Sequence, residues 1–205
     1  MRDALDRYYT PQWVIDVLLE HLGRVVDGWP LAFKIQGKIL EPCCGDGRLA
    51  DALRVGLHRT VVTGDLDPAV TADHHWDFRL AVQRGDVRPG EYGAVITNPP
   101  YRDVSSYVEA ALSVTGFVAM LMPISWQEPT NDRWCIWRDV PPHWVLVLPR
   151  PRFRGNGTDA RTVAWYVWDG VCDRTELIVV DPQKRAAGRD AQKGQRSLLE
   201  VSRGL

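Results

Sequence analysis

The segment "KILEPCCGDGRLADALRVGL", residues 38–57, contains the change of pattern that decides the fold. Its first residues are an apolar run that indicates a short β-strand, and its second half has the pattern of a helix. Gly45 and Gly47 separate the two halves, at a point where the backbone can turn sharply and approach a ligand closely. This order indicates an α/β domain. The turn is either a ligand site or an ordinary strand-to-helix connection.

The alternation of strands and helices continues along most of the chain. A helix is predicted over 10–26, where Thr10 can cap the N-terminus and Pro11 suits the first helical position. A further helix is predicted over 105–115, and strands are predicted over 59–68, 80–87, 92–100, 116–126, 143–151 and 160–170, with a last edge strand over 175–181. The alternation favours a mainly parallel, seven-stranded sheet with helices on both faces. The two late strands, 143–151 and 160–170, share one loop, which predicts an antiparallel hairpin at one edge.

The length and composition are those of an ordinary soluble globular protein. The chain has 205 residues, of which 45% are hydrophobic and 25% charged, and its formal net charge is −1. No stretch reaches the roughly 20 apolar residues that a membrane span needs, and no signal peptide is predicted. The four cysteines have no metal-ligand spacing, so we expect reduced thiols, a cytoplasmic protein and no bound metal. We expect one domain over 1–180 and a basic, flexible tail over 181–205.

Acidic residues follow three consecutive predicted strands. Glu41 ends the first strand and suits a ligand that carries an ammonium group rather than a phosphate. Asp65, with Asp67 two residues later, ends the second strand, where a carboxylate can accept both hydroxyls of a ribose. Asp86 ends the third and can accept a hydrogen bond from an adenine amine. Each acid alone is also compatible with a solvated turn. Together they favour a ligand site, because the carboxyl ends of parallel strands meet at one edge.

The stretch "AVITNPPYRD", residues 94–103, ends an apolar strand in a way that favours a functional site. Its two prolines fix two φ angles and remove two backbone donors, which gives a stiff, extended corner at Pro99 and Pro100. The Asn98 amide oxygen and the Pro99 carbonyl are two neighbouring acceptors, which match the two hydrogens of a planar amine. Tyr101 offers a ring face on which the group carrying that amine can stack. The alternative is a strand end without a function.

The loop "RPRFRGNGTDAR", residues 150–161, is rich in arginine. Phe153 between Arg152 and Arg154 can form an aromatic platform flanked by phosphate contacts. The alternative is an exposed hairpin loop. The near-neutral net charge means that binding to a polyanion depends on such local patches rather than on the field of the whole molecule.

These motifs, in this order, resemble a known family. The series "YYTP" (8–11), "EPCCGDG" (41–47), "GDLDP" (64–68), "GD" (85–86) and "TNPPY" (97–101) is similar to that of S-adenosylmethionine-dependent DNA adenine methyltransferases. The hairpin segment 150–169 is similar to one in compact, often phage-encoded, members. The resemblance implies a Rossmann-like class I methyltransferase fold, S-adenosyl-L-methionine as cofactor, and the exocyclic amine of adenine in DNA as acceptor. The base would be flipped out or single-stranded. The implied location is the cytoplasm of a bacterial or phage-infected cell.

The resemblance also implies a role for each motif residue. Asn98 and the Pro99 carbonyl, with Pro100 completing the catalytic motif, would hold the target amine. Tyr101 would stack on the target base, and Phe153 would support its other face. Arg152 and Arg154 would contact the nucleic acid beside it. The residues implied to bind the cofactor are Tyr8, Thr10, Pro11, Glu41, Pro42, Cys43, Gly45, Gly47, Asp65, Leu66, Asp86 and Val87.

Three features depart from the family pattern. Glu41 stands where aspartate is usual, so the cofactor pocket can be shifted. Cys43 and Cys44 replace an aromatic and a small or variable residue. Only 104 residues follow Tyr101 in this sequence, so we expect no separate target-recognition domain, and sequence choice would come from the loops 127–142 and 150–160 or from a partner.

Other functions remain open on the sequence alone. The Asn-Pro-Pro-Tyr motif also serves enzymes that methylate adenine in RNA or the glutamine side chain of a protein such as a release factor. A catalytically silent subunit that positions a partner is a further alternative, although an intact motif at Asn98–Tyr101 counts against decay. A nicotinamide dehydrogenase is disfavoured, because the third glycine of its fingerprint is absent.

Overall fold

A computed structural model describes residues 9–151, 162–170, 172 and 174–183. The helices in this part of the chain are α1 (Gln12–Leu22), α2 (Arg48–Leu57), α3 (Phe78–Arg84), α4 (Val104–Val114) and α5 (Asn131–Asp139). The strands are β1 (Val25–Val26), β2 (Trp29–Pro30), β3 (Ile39–Glu41), β4 (Val61–Asp65), β5 (His74–His75), β6 (Ala94–Thr97), β7 (Phe117–Pro123), β8 (Trp144–Val147), β9 (Val163–Asp169) and β10 (Glu176–Val179). Short 3-10 turns span Leu31–Lys34, Tyr101–Asp103 and Ile124–Gln127. None of the helices described is long and apolar enough to cross a bilayer.

The main sheet has the strand order β10-β8-β9-β7-β6-β3-β4-β5. Every neighbouring pair is parallel except the two that involve β9, which runs antiparallel to both β7 and β8. The predicted α/β class, with a mainly parallel sheet and an antiparallel hairpin, is therefore confirmed. The described sheet has eight strands rather than seven, and β10, predicted as the last edge strand, pairs with β8 and forms the edge outside the hairpin.

Helices cover both faces of the sheet, and the strand in its middle is fully buried. All seven residues of β7 are buried, as predicted for a strand with no polar position. One face packs against α1 and α2, and the other against α3, α4 and α5. The apolar positions of α1 and α4 recur every three or four residues, so each helix buries one face, with Val14, Leu18 and Leu22 from α1 and Val104, Val108 and Ala111 from α4.

The prediction of a strand over 80–87 is wrong, because this region contains the helix α3. Asp77 caps the helix by accepting a hydrogen bond from the Arg79 backbone N–H at 3.0 Å. Phe78 and Ala81, three residues apart, are both buried on the face that meets the core. Gly85 ends the helix with a φ of +76°, which suits glycine. The third parallel strand is instead the two-residue β5.

Two further predictions need correction. The first helix begins at Gln12 and ends at Leu22, and Pro11 rather than Thr10 is its N-cap residue. The region 127–142, expected to be a loop, contains the helix α5. The predictions for Tyr8, the arginine-rich loop with Arg152, Phe153 and Arg154, and the tail after residue 183 lie outside the described residues.

Candidate functional site

The carboxyl ends of five parallel strands meet at one edge of the sheet. Strands β5, β4, β3, β6 and β7 are neighbours in this order, and all run in the same direction. Most of the predicted site residues follow these strands or lie against them, namely Thr10, Pro11, Glu41, Pro42, Cys43, Gly45, Gly47, Asp65, Leu66, Asn98, Pro99, Pro100 and Tyr101. In open α/β sheets this edge is where ligands bind.

The glycine turn after β3 is fastened to the end of β4. The Gly45 N–H donates to Asp65 Oδ2 at 2.9 Å, and the Asp67 N–H donates to Asp65 Oδ1 at 2.9 Å. Gly45 and Gly47 have φ angles of +53° and +79°, which only glycine adopts readily. A Cβ at Gly45 would lie 3.8 Å from the ring of Tyr9. The turn therefore presents bare backbone between the Asp65 carboxylate and an aromatic wall.

Glu41 places a carboxyl group beneath this turn. Its exposed fraction is 2%, and the backbone N–H of Ala50, in the first turn of α2, donates to it. Its Oε2 atom has no hydrogen-bond partner among the residues that the structure describes. Burial raises the pKa of Glu41 well above its ordinary value, because water is excluded from the charged form. A buried carboxyl oxygen of this kind fits a ligand that carries an ammonium group.

Replacing Glu41 with glutamine tests how the buried carboxyl group affects stability as the pH changes. Since the pKa of Glu41 is raised in the folded protein, its favourable contribution to the free energy of unfolding is complete below pH 4.5 and is lost as the pH rises. Glutamine does not titrate, so the Tm of Glu41→Gln minus that of the wild type should grow between pH 5 and pH 8. Thermal unfolding at several pH values measures this. A difference that does not change with pH would contradict the account of Glu41.

The two cysteines act as small, neutral side chains at this edge. Burial raises the pKa of Cys43, with a further contribution from the nearby Asp65 carboxylate, and burial raises the pKa of Cys44 to about 12. The Cys43 side chain faces the hydroxyls of Thr97 and Tyr107. All four cysteines of the chain are free thiols. The departure from the family pattern at Cys43 and Cys44 therefore adds no charge to the site.

Asp77, rather than Asp86, lies at the carboxyl end of the third parallel strand. Asp77 comes two residues after β5, and its carboxylate accepts hydrogen bonds from the Arg79 guanidinium at 2.7 and 3.0 Å. These bonds hold the pKa of Asp77 below its ordinary value. Asp86 follows α3, whose seven residues span about 10 Å, so the helix separates it from this edge. Val87, next to it, is buried in the core under α3.

Trp76 is a further residue of this edge that the sequence analysis did not single out. A Cβ built on Gly64 would lie 2.4 Å from its Nε1 atom, so the indole fills the space that a side chain at residue 64 would need. Its ring also stacks on His74 at 4.3 Å between centroids. One signal in the sequence could have located this part of the edge. Asp77 is followed by apolar residues at helical spacing, which indicates a helix N-cap at Asp77 and therefore the end of a strand just before it.

The Asn-Pro-Pro-Tyr corner follows β6, the strand beside β3. Pro99 is buried, and Pro100, with a φ of −57°, leads into the 3-10 turn at Tyr101. The Asn98 side chain donates from Nδ2 to Thr10 Oγ1 at 3.1 Å. Tyr101 is half-buried and packs against the core on the side of α1. The corner is thus held between β6 and the segment that precedes α1. Within the described residues no group of three or more His, Cys, Asp or Glu side chains is placed to hold a metal ion.

Several solved structures with a similar fold are named as methyltransferases. The type I restriction-modification methyltransferase subunit from Streptococcus thermophilus has a TM-score of 0.61 and 15% identity, over 87% of this chain and 48% of that one. A protein from Listeria monocytogenes, named as a class I S-adenosylmethionine-dependent methyltransferase, has a TM-score of 0.57 and 18% identity, over 90% of this chain and 70% of that one. A protein from Pyrococcus horikoshii, named as an RNA methyltransferase, has a TM-score of 0.52 and 16% identity, over 82% of this chain and 87% of that one.

These likenesses identify the fold as that of the class I methyltransferases, which confirms the Rossmann-like α/β class. The chain spans about half the length of the Streptococcus thermophilus subunit. It matches no protein-family model and no curated protein in sequence.

Proposed function

We propose that the protein is an S-adenosylmethionine-dependent methyltransferase that acts on the exocyclic amine of adenine in DNA. The observation that carries the proposal is the position of the Asn98–Tyr101 corner, which follows β6 directly beside the β3 turn with its buried Glu41. Two acceptors for an amine therefore adjoin a site suited to an ammonium group and a ribose. The fold supports the methyltransferase part of this proposal.

The turn residues fit the proposed cofactor by their chemistry. Bound there, S-adenosyl-L-methionine supplies an electrophilic methyl group on a sulfonium. Glu41 offers its buried carboxyl oxygen to the ammonium group, and Asp65 offers its carboxylate to the ribose hydroxyls. The bare backbone of Gly45 leaves room for close approach. The other residues proposed to line the cofactor are Tyr8, Thr10, Pro11, Pro42, Cys43, Gly47 and Leu66.

For the adenine amine of the cofactor we propose Asp77 in place of Asp86. Asp77→Ser keeps a side chain that can cap α3 but is too short to reach the ligand, so cofactor affinity should fall about 10-fold, the effect of losing one hydrogen bond to a charged group. Asp86→Ser, away from the strand ends, is the matched control and should change affinity less than twofold. Calorimetric titration measures both. A larger loss of cofactor affinity in Asp86→Ser than in Asp77→Ser would favour Asp86 as the residue that binds the adenine amine.

The corner residues can activate a neutral amine without a strong base. The lone pair of an exocyclic adenine nitrogen is conjugated into the ring, which makes the nitrogen a poor nucleophile. Hydrogen bonds from its two hydrogens to Asn98 Oδ1 and the Pro99 carbonyl favour a pyramidal nitrogen. The same acceptors stabilise the positive charge that develops during transfer, so they act most strongly in the transition state. Stacking on Tyr101 orients the ring and lowers the entropy cost of reaction.

DNA is the proposed polymer because the resemblance implies it and because the similar Streptococcus thermophilus protein is named as a subunit of a restriction-modification system. The base must leave the duplex or be single-stranded for its amine to reach the corner. The loop that contains Phe153 is proposed to contribute to target recognition. Arg152 and Arg154 are proposed to contact phosphates there.

A parallel methyl-transfer assay tests the choice of substrate. Purified protein and radiolabelled S-adenosyl-L-methionine are mixed with unmethylated duplex DNA, single-stranded DNA, RNA or a release factor. The proposal predicts label in DNA. Label only in RNA or only in the release factor would overturn the choice of polymer and keep the chemistry. Cofactor binding without label in any substrate would favour a silent subunit.

A further inference from the structure

The Asn98 side chain is held by a residue that lies 88 positions earlier in the chain. Asn98 Nδ2 donates to Thr10 Oγ1 at 3.1 Å, and the exposed fraction of Thr10 is 5%. The Thr10 end of this bond is buried and the Asn98 end is half-buried, so water competes for it less than for an exposed bond. The Thr10 contact therefore restrains the amide plane and the rotamer of Asn98.

The orientation of this amide decides whether it can accept from an amine. The two ends of an asparagine amide have nearly the same shape, but one accepts hydrogen bonds and the other donates them. A hydroxyl can pair with either end of an amide, but in this structure Thr10 Oγ1 accepts from Nδ2, so the other end of the amide is the acceptor Oδ1. In the reversed orientation two donors, Nδ2 and the substrate amine, would face each other, which is repulsive.

Thr10 also belongs to a segment that contacts the cofactor side of the site. The Tyr9 ring lies 3.8 Å from the position that a Cβ on Gly45 would occupy, and Pro11 is the N-cap of α1. Three consecutive residues thus connect the glycine turn, the Asn98 amide and the first helix.

We propose that Thr10 is a positioning residue that fixes the Asn98 amide with Oδ1 directed to the substrate amine. This inference rests on the proposed function, and it gives Thr10 a role beyond lining the cofactor. Thr10 acts through Asn98, so its removal should lower kcat more than cofactor affinity. A side chain without a hydroxyl removes this acceptor and weakens the restraint on the orientation of the amide.

The kinetic test compares Thr10→Val with Thr10→Ser. Valine keeps the shape and removes the hydroxyl, so kcat should fall at least about 10-fold, since small displacements of a reacting group can cost up to about 100-fold. The Kd for S-adenosyl-L-methionine should rise by a smaller factor than kcat falls, because valine keeps the shape that Thr10 presents to the cofactor, and Thr10→Ser should recover most of kcat. In the Asn98→Ala background, Thr10→Val should cause no further loss of kcat, because the two residues act as a unit. Unchanged kcat in Thr10→Val, or a loss confined to cofactor affinity, would overturn the proposal.

A second readout does not depend on activity. The side-chain NH2 of Asn98 is assigned in 15N-labelled protein by its disappearance in Asn98→Ala. Its exchange with solvent should be slow in the wild type and in Thr10→Ser, and at least about 10-fold faster in Thr10→Val. Equal exchange rates in all three proteins would overturn the positioning role, whatever the substrate proves to be. If the exchange of the Asn98 NH2 is slow and depends on Thr10 but the protein methylates no substrate, the contact is supported and the proposed function is rejected.

Discussion

Replacing Asn98 with alanine is expected to lower kcat for methyl transfer on the order of 100- to 1,000-fold, the range seen when one group that stabilises transition-state charge is removed. Cofactor affinity should change less than threefold, because the residues proposed for the cofactor precede α1 or follow β3, β4 and β5, and none of them follows β6. The physical reason is that the alanine side chain cannot accept a hydrogen bond from the amine, so the nitrogen lone pair stays conjugated. Single-turnover kinetics at saturating cofactor separates the two effects.

The matched control is Asn131→Ala. Asn131 is exposed at the first residue of α5 and takes no part in the corner, so kcat should remain within twofold of the wild type. Circular dichroism should show that both variants are folded. Near-normal kcat in Asn98→Ala would remove the basis of the proposed mechanism.

Replacing Gly93 with alanine is expected to have the largest effect on stability. Gly93 immediately precedes β6, and a Cβ there would lie 1.7 Å from the backbone oxygen of Gln36. The Gly93 N–H donates to the Lys38 carbonyl at 2.8 Å, and its own carbonyl accepts from Thr115 Oγ1 at 3.1 Å, so the backbone cannot move aside without losing these bonds. The free energy of unfolding should fall by about 3 kcal/mol or more, at the upper end of the range for overpacked sites.

Denaturant unfolding with Gly116→Ala as the control measures this effect. Gly116 immediately precedes the neighbouring strand β7, but a Cβ there would meet its nearest atom at 3.9 Å, an ordinary contact. The control should therefore be as stable as the wild type or more stable by up to about 1 kcal/mol, because alanine at a compatible position restricts the unfolded chain. Similar stability losses in the two variants would show that the close approach of Gly93 to Gln36 is not what constrains the start of β6.

Strong local patterns made much of the fold predictable. The segment after the glycine turn has clear helical periodicity, and α2 occupies residues 48–57 as expected. The uninterrupted apolar run at 117–123 indicated a strand covered on both faces, and β7 is buried throughout. The strand β5 has only two residues, both exposed, so it leaves no periodicity in the sequence. The pattern at 80–87 therefore predicts the third strand there, instead of at β5.

The candidate site was predictable only where a residue directly follows a strand. Glu41, Asp65 and Asn98 could be placed together, because parallel strands bring their carboxyl ends to one edge. Asp77 was missed together with the strand before it. The hydrogen bond between Asn98 and Thr10 could not be predicted, since it joins residues 88 positions apart and depends on how α1 packs against the sheet.

The most direct test of the central claim is a search for methylated adenine made by the protein. Unmethylated duplex and single-stranded DNA are incubated with the protein and with S-adenosyl-L-methionine that carries a trideuterated methyl group. The DNA is then digested to nucleosides for mass spectrometry. We expect trideuteromethyl label on the exocyclic nitrogen of deoxyadenosine with the wild type, and its loss with Asn98→Ala. Label on another nucleoside, no label in DNA, or equal label with Asn98→Ala would contradict the account.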